Sequence, residues 1–221
     1  MTFPLTGILP SASGGTFSLT FAVNTSNAAN AASFNFTGLN FGSGGGAGDV
    51  VYIVAVVCAT GTNQSMSRVQ IGGIAATTAV VSGTTNVGQV GIFYVQTSLL
   101  TGNVSGVLGP SARADVATYR MLNPGSSGTP FATANSTTIV SGTNVNLSLN
   151  VPTGGAACAG VQTRNASGWN TWIGLTQRYA TSIGDQLSGA SGTATGTPLT
   201  VTGEATGSPT NIAGSSASWG P

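Results

Sequence analysis

Two hydrophobic patterns run along the chain, and each predicts a different kind of β-strand. Val50–Val57 is apolar at every position. Both faces of this segment must therefore be covered, which predicts a central strand of a sheet. Val145–Val151 alternates strictly between Val or Leu and Asn or Ser. That alternation predicts a strand with one face on a core and the other in water.

Short runs of β-branched and aromatic residues recur along the rest of the chain, separated by Gly, Pro, Asn and Ser. They predict strands near Phe17–Val23, Ser33–Phe41, Asp49–Thr60, Ser67–Ile71, Thr77–Ser82, Gly88–Thr97, Asn103–Leu108, Arg113–Leu122, Asn144–Val151, Ala156–Thr163, Thr171–Ala180, Asp185–Ala194, Leu199–Glu204 and Ser215–Trp219. No amphipathic helix is visible, and Ala28–Ala32 predicts one short turn at most. Many short strands with frequent turn signals indicate an all-β, antiparallel β-sandwich, either jelly-roll or immunoglobulin-like.

The domain organisation follows from where this strand pattern begins. The first 15 residues contain two prolines and end in Gly14 and Gly15, so residues 1–15 predict an extended N-terminal arm. Residues 16–221 predict a single β-sandwich domain, because all-β domains of about 200–250 residues are common. Asp49–Asn63 and Gly155–Ser167 share an order of glycine, apolar strand, cysteine and polar turn. This echo indicates either two similar sheet halves or a chance similarity, and the biased composition favours chance.

Targeting signals are also scarce in the sequence. No apolar run approaches the length of a membrane-spanning helix. The N-terminus shows no basic region followed by a long apolar stretch. We therefore expect no membrane partner and synthesis in a cytoplasm.

Charge is the most unusual feature of the composition. Lys and Arg together number 5, Asp and Glu number 4, and His is absent. Acid–base catalysis, metal binding and nucleic-acid binding draw on these scarce residue types. The sequence thus predicts a non-enzymatic protein without cofactor, metal site or nucleic-acid partner. Low charge also weakens the repulsion that keeps free proteins soluble, which favours a place in an assembly. Without His, the net charge is expected to change little between about pH 5 and pH 8.

The two cysteines, Cys58 and Cys158, lie in apolar strand-like runs. Two cysteines are too few for a disulfide scaffold. They predict either two buried free thiols or one bridge joining the two halves of a sandwich.

Four carboxylates remain as candidates for catalysis. Asp49 follows the glycine-rich run Gly44–Gly48, where a turn-capping side chain is expected. Asp115 is expected to pair with Arg113 on the same strand face. Asp185 and Glu204 form the one candidate carboxylate pair, on the condition that their strands pair.

The glycine-rich run Gly44–Gly48 lacks the Lys and the following helix of a phosphate-binding loop. A flexible connection is the expected role of this run.

Aromatic residues near the C-terminus supply the remaining candidates. Trp172 and Trp219 sit in strand-like runs and are expected in the core. Trp169 follows a Ser-Gly turn, so it predicts either a core residue or, together with Arg178, a ligand or partner contact.

The order of these elements resembles a β-sandwich family of virion structural proteins from tailed bacteriophages and prophages. The matching segments are Gly48–Ala55, Val69–Ala76, Val90–Tyr94, Ala114–Tyr119, Trp172–Tyr179 and Ala217–Trp219, and together they span roughly residues 45 to 221. The family implies no catalytic residues. It implies a place in the virion, with the major capsid protein or neighbouring virion proteins as partners and a homo-oligomer within the particle.

These expectations combine into a capsid decoration protein or head fibre bound to the major capsid protein. Two alternatives stay open at this point. One is a neck, collar or tail-fibre component that binds host-surface glycan through Trp169. The other is an enzyme acting on cell-wall sugars through Asp185 and Glu204.

Overall fold

The chain is almost entirely β-structure. The computed structural model describes residues 15–58, 64–82, 88–125, 128–138, 144–193 and 196–221, and these contain β-strands and no helix. The strands are β1 (Ser18–Asn40), β2 (Val50–Cys58), β3 (Ser65–Ile71), β4 (Ile74–Ala75), β5 (Thr77–Val81), β6 (Gly88–Gln96), β7 (Thr101–Leu122), β8 (Ala132–Thr138), β9 (Asn144–Val151), β10 (Ala156–Ile173), β11 (Thr176–Ser182), β12 (Gln186–Thr193) and β13 (Gly196–Trp219). Every pairing between them is antiparallel.

The strands form two sheets, which confirms the antiparallel β-sandwich. The first sheet has the order β4-β3-β7-β2-β6-β5, with β1 on the other edge of β7. The second has the order β11-β12-β10-β13-β8, with β9 also paired to β13. The chain therefore passes from one sheet to the other once, between β7 and β8. Most of the predicted arm lies outside the described residues, and the single-domain assignment stays a prediction.

The two sheets repeat one strand order. Read from one edge, the first sheet contains β1-β7-β2-β6-β5 and the second contains β8-β13-β10-β12-β11. In each, the first strand along the chain pairs with the last, and the last pairs with a central strand that carries a cysteine. The two segments of the sequence echo, around Cys58 and Cys158, therefore occupy equivalent places in the two sheets. This equivalence gives the echo a structural counterpart that composition alone does not supply.

Within the described residues, three hydrophobic cores hold the sandwich together. The first lies between the sheets and contains residues of both, including Val54, Tyr119, Leu187 and Trp219. The second belongs to the first sheet alone and the third to the second sheet alone. A core that is built from one sheet alone requires that sheet to fold over on itself. The two halves of a long strand then both contact the same core.

The two patterns that open the sequence analysis are confirmed. Alternate residues of β2 face different cores: Tyr52 and Val54 lie between the sheets, whereas Ile53 and Ala55 lie in the second core. Strand β9 alternates between exposed and buried residues along its whole length.

Long strands are the main difference from the predicted elements. The segments Asn103–Leu108 and Arg113–Leu122 are one strand, β7, and Phe17–Val23 and Ser33–Phe41 join as β1. Ala28–Ala32 lies within β1, where the register shifts against β7, and is not a turn between strands. These sheets continue through bulges, which bend a strand without ending it.

Two further elements differ from prediction. The predicted strand Thr171–Ala180 is interrupted after Ile173, since Gly174 adopts a φ of +85° that favours glycine. Strand β8 was not predicted, because its Ala, Thr, Asn and Ser residues carry little hydrophobic signal.

Candidate functional site

The predicted contact residues Trp169 and Arg178 lie on different strands. Trp169, on β10, is half-buried and packs against the third core, and its indole N–H is buried without a hydrogen-bond partner in the described part of the chain. Arg178, on β11, is exposed and its Nε donates to Ser191 Oγ at 3.0 Å. A role of either residue in ligand or partner contact stays a prediction. Trp172 and Trp219 are buried, which confirms their place in the core.

Both cysteines are buried and free, so the alternative of a Cys58–Cys158 bridge is not formed. Both thiols lie in the core between the sheets. Burial, together with the nearby Asp185 carboxyl, raises the pKa of Cys58 to about 12. Burial alone raises the pKa of Cys158 well above that of an ordinary thiol. Neither thiol is therefore a nucleophile, since the thiolate is the reactive form.

The candidate carboxylate pair is not assembled. Asp185 accepts a hydrogen bond from Gln162 Nε2 at 2.8 Å, near the middle of β10. Glu204 accepts one from Thr171 Oγ1 at 2.7 Å, near the C-terminal end of the same strand. Asp185 precedes β12 and Glu204 lies on β13, and these two strands do not pair with each other. The condition for acid–base work by this pair is therefore not met.

The glycine-rich run before β2 binds the carboxylate of Asp49, which follows it in the sequence. The backbone N–H groups of Gly45 and Gly46 donate to Asp49 Oδ2 at 2.7 and 2.9 Å. Arg120 Nη2 lies 3.3 Å from the same oxygen, and Arg120 Nη1 donates to the carbonyl oxygen of Leu99 at 2.7 Å. The run is thus a braced loop rather than the flexible connection expected, and Asp49 is the turn-capping residue that the sequence predicted. Its anion-binding groups are already occupied.

Asp115 lies at the junction of the two sheets and not in a pair with Arg113. It is fully buried, and Asn24 Nδ2 donates to both of its carboxylate oxygens at 2.8 and 3.0 Å. Thr181 Oγ1, in the other sheet, donates to Asn24 Oδ1 at 3.0 Å. Burial raises the pKa of Asp115 to about 7, against the opposing effect of Asn24. The small change in net charge that is predicted between about pH 5 and pH 8 therefore includes the titration of this one carboxyl, in the range usually left to His.

A surface depression lies on the first sheet. It is a groove of about 800 Å³ over β1, β7 and β3. Asn35, Ser105 and Gln70 stand directly opposite one another on these three strands, so their side chains point to the same face. Arg68 borders the groove at a register shift between β3 and β7, with a φ of +49°.

Glycines bring the floor of this groove close to the core. A Cβ at Gly106 would lie 2.7 Å from the ring of Phe34, and a Cβ at Gly102 would lie 2.7 Å from the ring of Phe41. The backbone of β7 therefore rests directly on two aromatic rings. Alternate residues of β7, which face outward, line the groove.

Sequence reasoning missed this groove. Its signal was the alternation in Asn103–Leu108, where the outward positions are mostly polar. Nothing in the sequence placed that segment between β1 and β3.

Within the described ranges, no helix has the length and apolarity needed to cross a membrane. The same ranges hold no cluster of His, Cys, Asp and Glu that suits a metal ion. Comparisons with protein-family models, curated proteins and solved structures found no match to this chain.

Proposed function

We propose that the chain is a non-enzymatic structural protein of a tailed-phage particle, a capsid decoration protein or head fibre bound to the major capsid protein. The observation that carries the proposal is the state of the sheet edges. Among the described residues, strands β1, β5 and β8 each pair on one side only, and none of the three strands contains a charged residue or a proline.

Such edges normally need protection. A strand with one free edge presents unpaired N–H and C=O groups to any neighbouring chain, and free proteins protect these edges with charges, prolines or short strands. Strand β1 is 23 residues long and contains no charge or proline, and its four register shifts against β7 are the protective feature that it has. A partner strand that pairs with this edge would satisfy the backbone groups by strand addition. Neighbouring virion proteins or further copies of this chain are the proposed partners.

The distribution of charge supports the same role. Four of the charged residues are buried, three are half-buried, and only Arg68 and Arg178 are exposed. A surface this neutral binds through shape, backbone pairing and uncharged hydrogen bonds. Its contacts should depend only weakly on salt, because screening acts on charges.

The role in the particle is tested on purified virions. We expect the chain in fixed ratio to the major capsid protein, and on the particle exterior in a three-dimensional reconstruction. It should remain attached when NaCl is raised from about 0.1 M to about 1 M, a range over which exposed ion pairs are largely screened. Absence from the virion, or release by moderate salt alone, would contradict the proposal.

The edge of β1 is tested separately. Ala29 is exposed on this strand, and Thr153 is exposed in a turn away from it. Ala29→Lys places a charge beside the free edge and is expected to lower the number of copies per particle, whereas Thr153→Lys adds the same charge without effect. Equal incorporation of both variants would exclude the β1 edge as the contact.

A further inference from the structure

We propose that the groove over β1, β7 and β3 is a binding site for an acidic oligosaccharide, with Arg68 contacting a carboxylate of the sugar. The site goes beyond a structural role in the particle.

Unused hydrogen-bonding capacity is the first argument. In the described part of the chain, no hydrogen bond joins the side chains of Asn35, Gln70, Ser105 or Arg68 to another protein group. All four line one groove. Amides offer both donors and acceptors, and a hydroxyl offers both as well, which matches the hydroxyl groups of a sugar. These groups are presented outward in one place.

Their spacing is fixed by the sheet. Asn35, Ser105 and Gln70 form one cross-strand row, and adjacent strands lie about 4.8 Å apart, so the row spans about 10 Å. The groups are held on paired strands and not on loops. A ligand that fits the row therefore does not have to order the protein, which lowers the cost of binding.

Arg68 supplies the charge. Among the described residues no carboxylate lies within 4.0 Å of its guanidinium, whereas Arg120 and Arg164 each have an Asp within that distance. A guanidinium without an acidic neighbour is a donor fork for a carboxylate. The residue also holds a left-handed backbone conformation that L-residues rarely adopt.

Other ligand classes fit the groove less well. Nucleic acid needs several clustered cations along its phosphates, and Arg68 is the one charged residue that lines the groove. A peptide added as a strand needs a free edge, and because β7 is paired on both sides here, it would lie along the outer edge of β1 and not over the row of side chains on β7 and β3. A peptide held by its side chains needs apolar pockets, and the row of Asn35, Ser105 and Gln70 is polar.

The test is direct binding by the purified full chain, so its outcome is independent of any role in the virion. The probes are uronic-acid and sialic-acid oligosaccharides, each beside its methyl ester, which keeps the hydroxyls and removes the charge. We expect the acids to bind about tenfold more tightly than the esters. No binding to any of these sugars, or equal binding of acid and ester, would overturn the proposal.

Two exposed arginines provide matched variants. Arg68→Gln should lower affinity for the acids to that of the esters, whereas Arg178→Gln, in the other sheet, should leave it unchanged. Gln70→Ala should weaken binding of acid and ester alike. Amide chemical-shift changes on ligand addition should fall on β1, β3 and β7. Changes confined to another surface, or equal losses in Arg68→Gln and Arg178→Gln, would show that this groove is not the site.

Discussion

Asn24 and Asp115 form a buried polar contact within the first sheet, at its junction with the second. The Asn24 amide donates to both oxygens of the Asp115 carboxylate, and Thr181 reaches the same Asn24 from the other sheet. Because the carboxylate is buried, this contact holds a group that prefers to be protonated near neutral pH. The junction of the two sheets at Asp115 is consequently expected to respond to pH.

The first prediction concerns the pH dependence of stability. Burial raises the pKa of Asp115 from 3.8 to about 7, so the folded protein binds this proton more tightly than the unfolded chain does. The stabilisation is present at acidic pH and is lost as pH rises through about 7. We expect the free energy of unfolding to fall from pH 5 to pH 8 by about 3 kcal/mol from this group, since about two pH units separate pH 5 from the folded pKa and each is worth about 1.4 kcal/mol.

Asp115→Asn tests the assignment. The amide keeps the shape and an acceptor for Asn24 but does not ionise. We expect it to be more stable than the wild-type protein at pH 8 and to show a weaker pH dependence in denaturant unfolding. Some pH dependence of the free energy of unfolding should remain in this variant, because burial also raises the pKa of Asp185. Glu204→Gln, at a half-buried site, is the control, and an unchanged slope in Asp115→Asn would contradict the assignment.

The second prediction concerns the loop held by Asp49. Asp49→Ala leaves Arg120 buried without its carboxylate and frees the N–H groups of Gly45 and Gly46. Breaking one side of a buried ion pair costs about 3–5 kcal/mol, and we expect a loss of this order in urea unfolding. Glu204→Ala removes a carboxylate that is not part of an ion pair in the described residues, and should cost much less. Similar losses in both variants would show that these contacts of Asp49 add little stability.

The third prediction concerns the thiols. Both are buried, and their raised pKa values keep them protonated at pH 8. An exposed-thiol reagent should label neither cysteine in the native protein and should label Cys58 and Cys158 after unfolding without reductant. No labelling after unfolding would instead show that the two cysteines are bridged.

The fourth prediction concerns packing between the sheets. A Cβ at Gly160 would lie 2.3 Å from Val54 Cγ1, whereas a Cβ at Gly48 would have no atom within 4 Å. Gly160→Ala should therefore destabilise the fold by about 1–3 kcal/mol, and Gly48→Ala should have little effect. Adding Val54→Ala to Gly160→Ala should relieve the clash in part. Thermal unfolding of the four proteins checks this, and a neutral Gly160→Ala would mean that the sheets lie further apart.

The amino-acid sequence by itself determined the class of fold and the central strand. The apolar run of β2 and the alternation of β9 are local patterns, and burial follows directly from them. The buried places of Trp172 and Trp219 followed from the same strand logic. Local pattern also identified Asp49 as a turn-capping residue, because the glycines that it contacts precede it directly in the sequence.

Only the tertiary structure decided which distant segments meet. Asn24 and Asp115 are 91 residues apart in the chain. Asn35 and Gln70 lie on either side of Ser105 in β7, through strand pairing that no local pattern encodes. The raised pKa of Asp115 has the same origin, since desolvation depends on what packs around the carboxyl and not on its neighbours in sequence. For the same reason Arg113 and Asp115 do not pair, although they are close in sequence. Asp115 instead accepts hydrogen bonds from Asn24 on the neighbouring strand β1.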